Sequence, residues 1–119
     1  MMHTDILDAL LSLEKELRAL SLWGGEEGIP DSSAFMSTAP FCVDTMEFHQ
    51  WLEYVLIPKL GAIAKEGGKI PKMALLPAGE VYYRGSVRKH RLLLKALRDL
   101  DRICAVQTSA QELKKDNGA

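Results

Sequence analysis

Cysteine is scarce in this chain, and neither Cys42 nor Cys104 belongs to a C-x-x-C pair. That excludes a disulfide scaffold. Long apolar runs are missing too, since nothing approaches the ~18–20 residues needed to span a bilayer. No membrane partner is expected. The first twenty residues, MMHTDILDALLSLEKELRAL, lack a basic leader and set acids among leucines. They read as a helix of the mature protein and not as a signal peptide. With no export signal, reduced thiols and a cytoplasmic location are the expectation.

Catalytic groupings are equally sparse. His3, His49 and His90 stand far apart, and neither cysteine has a histidine at ligand spacing, so no metal is expected. No G-x-S-x-G occurs. The glycines cluster as Gly24-Gly25, Gly28 and Gly67-Gly68, with no Lys-Ser/Thr pair following, which argues against a phosphate loop. Cys104 lies on an apolar helical stripe and reads as a small buried hydrophobe, whereas Cys42 falls in a loop that could expose it. No catalytic residue and no cofactor are expected.

What is present describes a helical domain. The chain has 119 residues, 47% of them hydrophobic and 26% charged, which fits one globular unit of typical size. The net charge of −1 conceals a split. Residues 1–56 carry ten acids against Lys15 and Arg18, while residues 57–119 carry thirteen Lys and Arg against six acids. Pairing between helices, a nucleic-acid face and an acidic partner are all compatible with it.

Ile6, Leu10, Leu13, Leu17 and Leu20 recur every three or four residues, which predicts an amphipathic helix over 4–21 with Thr4 as N-cap and Gly24-Gly25 as its stop. Residues 26–40 read as an ordered loop pinned by Phe35 and Met36. A second helix is announced by Asp44-Thr45-Met46-Glu47, a capping box in which Asp44 and Glu47 exchange bonds, with Val43 and Phe48 as a hydrophobic staple. Trp51 continues its apolar face, and Pro58 predicts a kink before the helix ends at Gly67-Gly68. Pro77 suits the start of a short helix over 78–83. Ser86 reads as the cap of a last helix over 87–105, whose stripe includes Leu93, Leu97, Leu100 and Cys104. The expectation is an all-α bundle of three long helices and one short one around a single core. Residues 1–106 would form the bundle and 107–119 a frayed tail.

The densest signal is residues 37–59, STAPFCVDTMEFHQWLEYVLIPK. Its S-T-A-P-F, D-T-M-E and W-L-E-Y-V-L-I-P-K elements resemble the signature of the YqcC-like family of small bacterial proteins. The resemblance extends more loosely over residues 4–105. It implies an all-helical cytosolic protein associated, by gene neighbourhood, with a tRNA pseudouridine synthase, and it carries over no catalytic residue.

One further pattern points outward. Arg84, Arg88, Arg91, Lys95, Arg98 and Arg102 recur at spacings of 4, 3, 4, 3 and 4, a ridge that could follow RNA phosphates, pair with acidic groups, or simply be solvated. Tyr82-Tyr83 beside Arg84 could stack a base, or supply one ring to the core. The expected function is that of a non-enzymatic cytoplasmic binding or accessory protein. Its first expected partner is another protein; tRNA or a tRNA-modifying enzyme is the alternative. Its candidate surface comprises Ser37, Thr38 and Phe41 with the six residues of the ridge. An enzyme with a small-molecule pocket near Pro58 is a third reading, and homo-oligomerisation is compatible with the apolar faces.

Overall fold

In α1 (Thr4–Ala19), Ile6, Leu10, Leu13 and Leu17 share one face and all four are buried. That face packs on the second long helical run and on α5 (Arg91–Asn117). The computed structural model describes residues 2–117. Three long helical runs and a short helix, α4 (Leu75–Tyr82), make up the bundle, and no strand occurs among the described residues. The all-α expectation holds. Leu52, Leu56, Leu60 and Ala64 meet Leu93, Leu97, Leu100 and Cys104 in the main core. Burial pushes the Cys104 thiol up to about 11, so it serves as a small hydrophobe.

Several boundaries differ from the sequence reading, each for a local reason. Thr4 lies inside α1, with His3 as the flanking residue. The His3 amide donates to Ala64 O at 2.8 Å and its Nε2 to Gly68 O at 2.9 Å, which ties the start of α1 to the end of the second helical run. α1 then stops before its glycines. Ser21 adopts a left-handed φ of 59°, and the Leu22 amide reaches back to Leu17 O at 2.9 Å, a Schellman-type closure. Trp23 packs half-buried against the core with the Arg18 guanidinium 4.7 Å above its ring.

The second helix begins at Phe48, later than Asp44 predicts. The amides of Thr45 and Met46 both bond Cys42 O at 3.0 Å, so residues 42–46 close a turn of their own. The capping role passes to Glu47, whose amide donates to Gln50 Oε1 at 2.8 Å. The staple moves with it. Val43 is exposed, while Met46 is buried in a small cluster with Ala34 and Cys42, against which Trp51 packs. Ala34 is thus the plug that pins the loop, and Met36 lies 81% exposed. Asp44 instead accepts the Ser37 hydroxyl, while Thr45 Oγ1 donates to Ala34 O at 2.7 Å. These bonds latch the loop to itself.

Pro58 produces a change of helical pitch. After α2 (Phe48–Trp51) comes one π turn, Leu52–Leu56, and then α3 (Ile57–Glu66), with Pro58 in its first turn. A wide turn just ahead of a proline relieves the clash of its ring with the carbonyl four residues back. α3 ends as expected at Gly67, whose φ is 69°.

Within the π turn, Glu53 is only 5% exposed. Its two carboxylate oxygens each accept one amide, from Gly24 and Gly25, at 2.8 Å. The Tyr54 hydroxyl donates to Gly25 O at 2.7 Å. Glycine is needed here, because a Cβ on Gly28 would stand 2.8 Å from that hydroxyl. A second fork mirrors the first: Asp101 of α5 accepts the amides of Leu75 and Leu76, each at 2.8 Å. It caps α4 from across the bundle, so that helix starts two residues before Pro77.

α5 begins at Arg91 and not at Val87, because the Ser86 carbonyl binds the His90 amide and ring in a preceding turn. Past Ala105 it continues as helix. Gln111 Oε1 accepts the Ile70 amide at 2.7 Å, its Nε2 donates to Ile70 O at 3.1 Å, and Thr108 Oγ1 bonds Cys104 O at 2.8 Å. Those contacts explain why the helix does not fray at 107; residues 118 and 119 lie outside the described residues.

Glu53→Gln is expected to destabilise the fold by about 2 kcal/mol, since an amide cannot accept both glycine N–H groups and leaves one buried donor facing another. Asp44→Ala, at an exposed site, is expected to cost under about 0.5 kcal/mol. Urea midpoints of the two variants against the wild type measure the contrast; an equal loss would show that Asp44 caps the helix after all.

Candidate binding surface around the signature segment

The turn Pro40–Cys42 holds two of the three left-handed residues other than glycine among the described residues. Phe41 and Cys42 have φ of 58° and 50°, left-handed values that cost a side-chain-bearing residue on the order of 1 kcal/mol or more each. Cys42 is buried, against the reading that its loop could expose it. Packing supports the strained conformation. The Phe41 ring meets Trp51 edge-on at 4.9 Å and Phe48 at 5.7 Å, and Phe48 lies 5.5 Å from Tyr82. The Tyr82 hydroxyl also donates to the Glu47 carboxylate, joining the end of α4 to the start of α2. Burial, with that bond to Glu47, holds the Tyr82 phenol above its ordinary value.

Two openings flank Phe41. On one side lies an apolar groove of about 280 Å³, formed by Pro40, Phe41, Val43, Phe48, Ala78, Val81 and Tyr82. Val43 and Val81 on its rim are 56% and 64% exposed. On the other side lies a cavity of about 690 Å³, in which Phe41, Trp51 and Tyr54 face Pro71 and Met73, with Lys59 and Lys72 also in its lining. A third depression, about 530 Å³, runs between α1 and α3 beside Pro58 and Leu11.

Of the candidate residues, Thr38 is exposed, while Ser37 and Phe41 are half-buried and held by the loop. Arg84, Arg88, Arg91, Lys95, Arg98 and Arg102 are all exposed. They do not form one helical ridge. Gly85, with φ of 90°, and the turn before Arg91 place Arg84 and Arg88 outside α5, so only the other four share a helix. The pairing with the acidic first helix is absent among the described residues, where the ion pairs are Arg18–Glu14 at 3.0 Å and Arg98–Asp99 at 3.9 Å. Glu16 borders the same shallow depression as Arg88 and Arg91 without pairing. Tyr83 resolves to the core: its ring stacks on His90 at 4.0 Å, and burial pushes its phenol up to about 12.

Glu53, Asp101 and the exposed valines escaped the sequence reading. Glu53 left one signal, an acid inside the otherwise apolar run around residues 51–58, where burial demands a partner. Among the described residues no three His, Cys, Asp or Glu side chains are grouped as metal ligands. No helix there is long and apolar enough to cross a membrane.

Fold and surface together define a small all-helical protein with an aromatic-centred, partly apolar surface around Phe41. Residues 5–103 match the family described as tRNA pseudouridine synthase C. YqcC of Escherichia coli K12, named an uncharacterized protein, is 32% identical over 108 residues, which cover 90% of this chain and 97% of that one. The chain belongs to this YqcC-like family. An uncharacterized protein of Haemophilus influenzae is 36% identical over 69 residues, which cover 57% of this chain and 63% of the relative. A protein of Pectobacterium carotovorum named tRNA pseudouridine synthase C is 31% identical over 70 residues, 59% of this chain but 18% of that longer one. No solved structure matches the chain significantly.

Proposed function

We propose that this protein is a non-catalytic binding partner of a tRNA pseudouridine synthase, docking on it through the apolar groove beside Phe41. The observation that carries this reading is the Pectobacterium relative, in which the similar stretch makes up 18% of a chain named for that enzyme. Two units on one chain meet at an effective concentration in the millimolar range for short connections. In YqcC, 97% of which the similar stretch covers, the unit stands without the enzyme, and a surface has to recover this association. The groove between Pro40 and Val81 offers apolar area at the surface, with Arg84 close by in sequence to add charge to its edge.

The purified protein is expected to co-elute with the tRNA pseudouridine synthase of its own organism after nuclease treatment. Val43→Asp and Val81→Asp, both at exposed positions, should each weaken the complex about tenfold or more while leaving helicity intact. Complex formation that vanishes with nuclease, or that ignores both substitutions, contradicts groove docking.

A second reading rests on a different observation. Six cationic side chains around the α4–α5 turn and along α5 are exposed, and Arg98 alone among them is ion-paired, loosely, among the described residues. Such a surface supports contact with tRNA phosphates. On this reading, tRNA affinity falls steeply with salt. Replacing Arg88, Arg91 and Arg98 by Gln then lowers the slope of log K against log salt by about 1 for each phosphate no longer neutralised. Filter binding across a salt series measures the slope; an unchanged slope in the triple variant removes these residues from any RNA interface.

A further inference from the structure

The 690 Å³ cavity on the far side of Phe41 has features that the synthase-docking reading does not use. Its volume lies within the about 300–1,000 Å³ typical of small-molecule sites. Phe35, Phe41, Trp51 and Tyr54 line it, half of the chain's aromatic residues (three Phe, three Tyr and two Trp). Lys59 and Lys72, both exposed, are the charged residues of the lining, and no Asp or Glu among the described residues joins them. In a chain of net charge −1 this is a local cationic field over an aromatic floor.

Two backbone irregularities converge on the same wall. Phe41 and Cys42 are the left-handed pair, and Tyr54, Val55 and Leu56 come from the π turn. Left-handed side-chain-bearing residues and π turns both concentrate at functional sites, where the surrounding fold maintains them for what they position. Proline accounts for the π turn alone; it does not account for Phe41. The strain at Phe41 fixes the ring that separates the cavity from the apolar groove.

We infer that this cavity binds a nucleotide, its planar base among Phe41, Trp51 and Tyr54 and its phosphate against Lys59 and Lys72. Aromatic surfaces accept any base, since every base has a π-face to stack, and an ammonium is a natural phosphate partner. The walls offer few polar groups, chiefly Ser37, Tyr54 and the two lysines, so discrimination among bases is expected to be weak. The phosphate could belong to a free mononucleotide or to a residue of an RNA strand. The inference stands independently of the synthase reading, because no residue of the synthase enters it.

Trp51 makes the site observable. Titration with uridine 5′-monophosphate is expected to change the tryptophan emission saturably, and adenosine 5′-monophosphate to do so with similar affinity. Uridine without its phosphate should bind about tenfold more weakly, as should uridine 5′-monophosphate to Lys59→Gln or Lys72→Gln. Both lysines are exposed, so these variants keep the fold, which far-ultraviolet circular dichroism verifies. A hexauridylate that binds much more tightly than the mononucleotide identifies an RNA strand as the source; equal affinity identifies the free nucleotide. No saturable change up to millimolar nucleotide, or affinities indifferent to the phosphate and to both lysine substitutions, overturns the proposal. Synthase co-elution tests the other reading separately, so either can fail alone.

Discussion

The carboxylate of Glu53 is the constraint on which the arrangement of this bundle depends. Buried and bonded through both oxygens to Gly24 and Gly25, it is one link between the first loop and the middle of the second helical run. A buried charge is tolerable only when its hydrogen-bonding capacity is used, and here two amides supply that. The geometry depends on the π turn, which presents Glu53 and Tyr54 to the same loop, and the π turn in turn accommodates Pro58. Asp101 repeats the device at the start of α4. In both places a side chain from another helix satisfies backbone groups that local capping leaves open.

Much of this is legible in the residues. The leucine stripe of α1, the Gly67 stop and the core role of Cys104 follow from spacing and from glycine's freedom at positive φ. The capping box is legible in kind but not in place. Asp44-x-x-Glu47 and Glu47-x-x-Gln50 both fit the pattern three residues apart, and aspartate is the better cap by propensity. What decides between them is the turn built on Cys42, a tertiary feature with no local sequence mark. The basic ridge fails for a related reason. Its spacing is helical throughout, yet Gly85 at φ of 90° breaks the chain direction, so only part of the series lies on one helix. The helix beyond Ala105 is illegible because polar Thr108 and Gln111 hold it, by bonding the backbone of Ile70 and of their own helix.

The family signature acquires a physical sense from these contacts. Ser37, Asp44 and Thr45 latch the loop, Phe41 is forced into a strained turn, and Trp51 and Phe48 close around it. The result is one aromatic ring held between an apolar groove and a cationic cavity. Two openings with different chemistry suit a protein that brings a macromolecular partner and a nucleotide to adjoining surfaces, which accords with the proposed role beside a tRNA-modifying enzyme.

Amide hydrogen exchange at Gly24 and Gly25, followed by NMR in the wild type and in Glu53→Gln, tests the organising role of the carboxylate most directly. Gly24 is exposed and neither amide lies within a helix, so exchange at the free-loop rate is the default for both. If the carboxylate organises the loop, the two amides are strongly protected in the wild type. That protection is lost selectively in the variant, with the α5 core amides far less affected. Free-loop exchange in the wild type, or protection that survives the substitution, would contradict it.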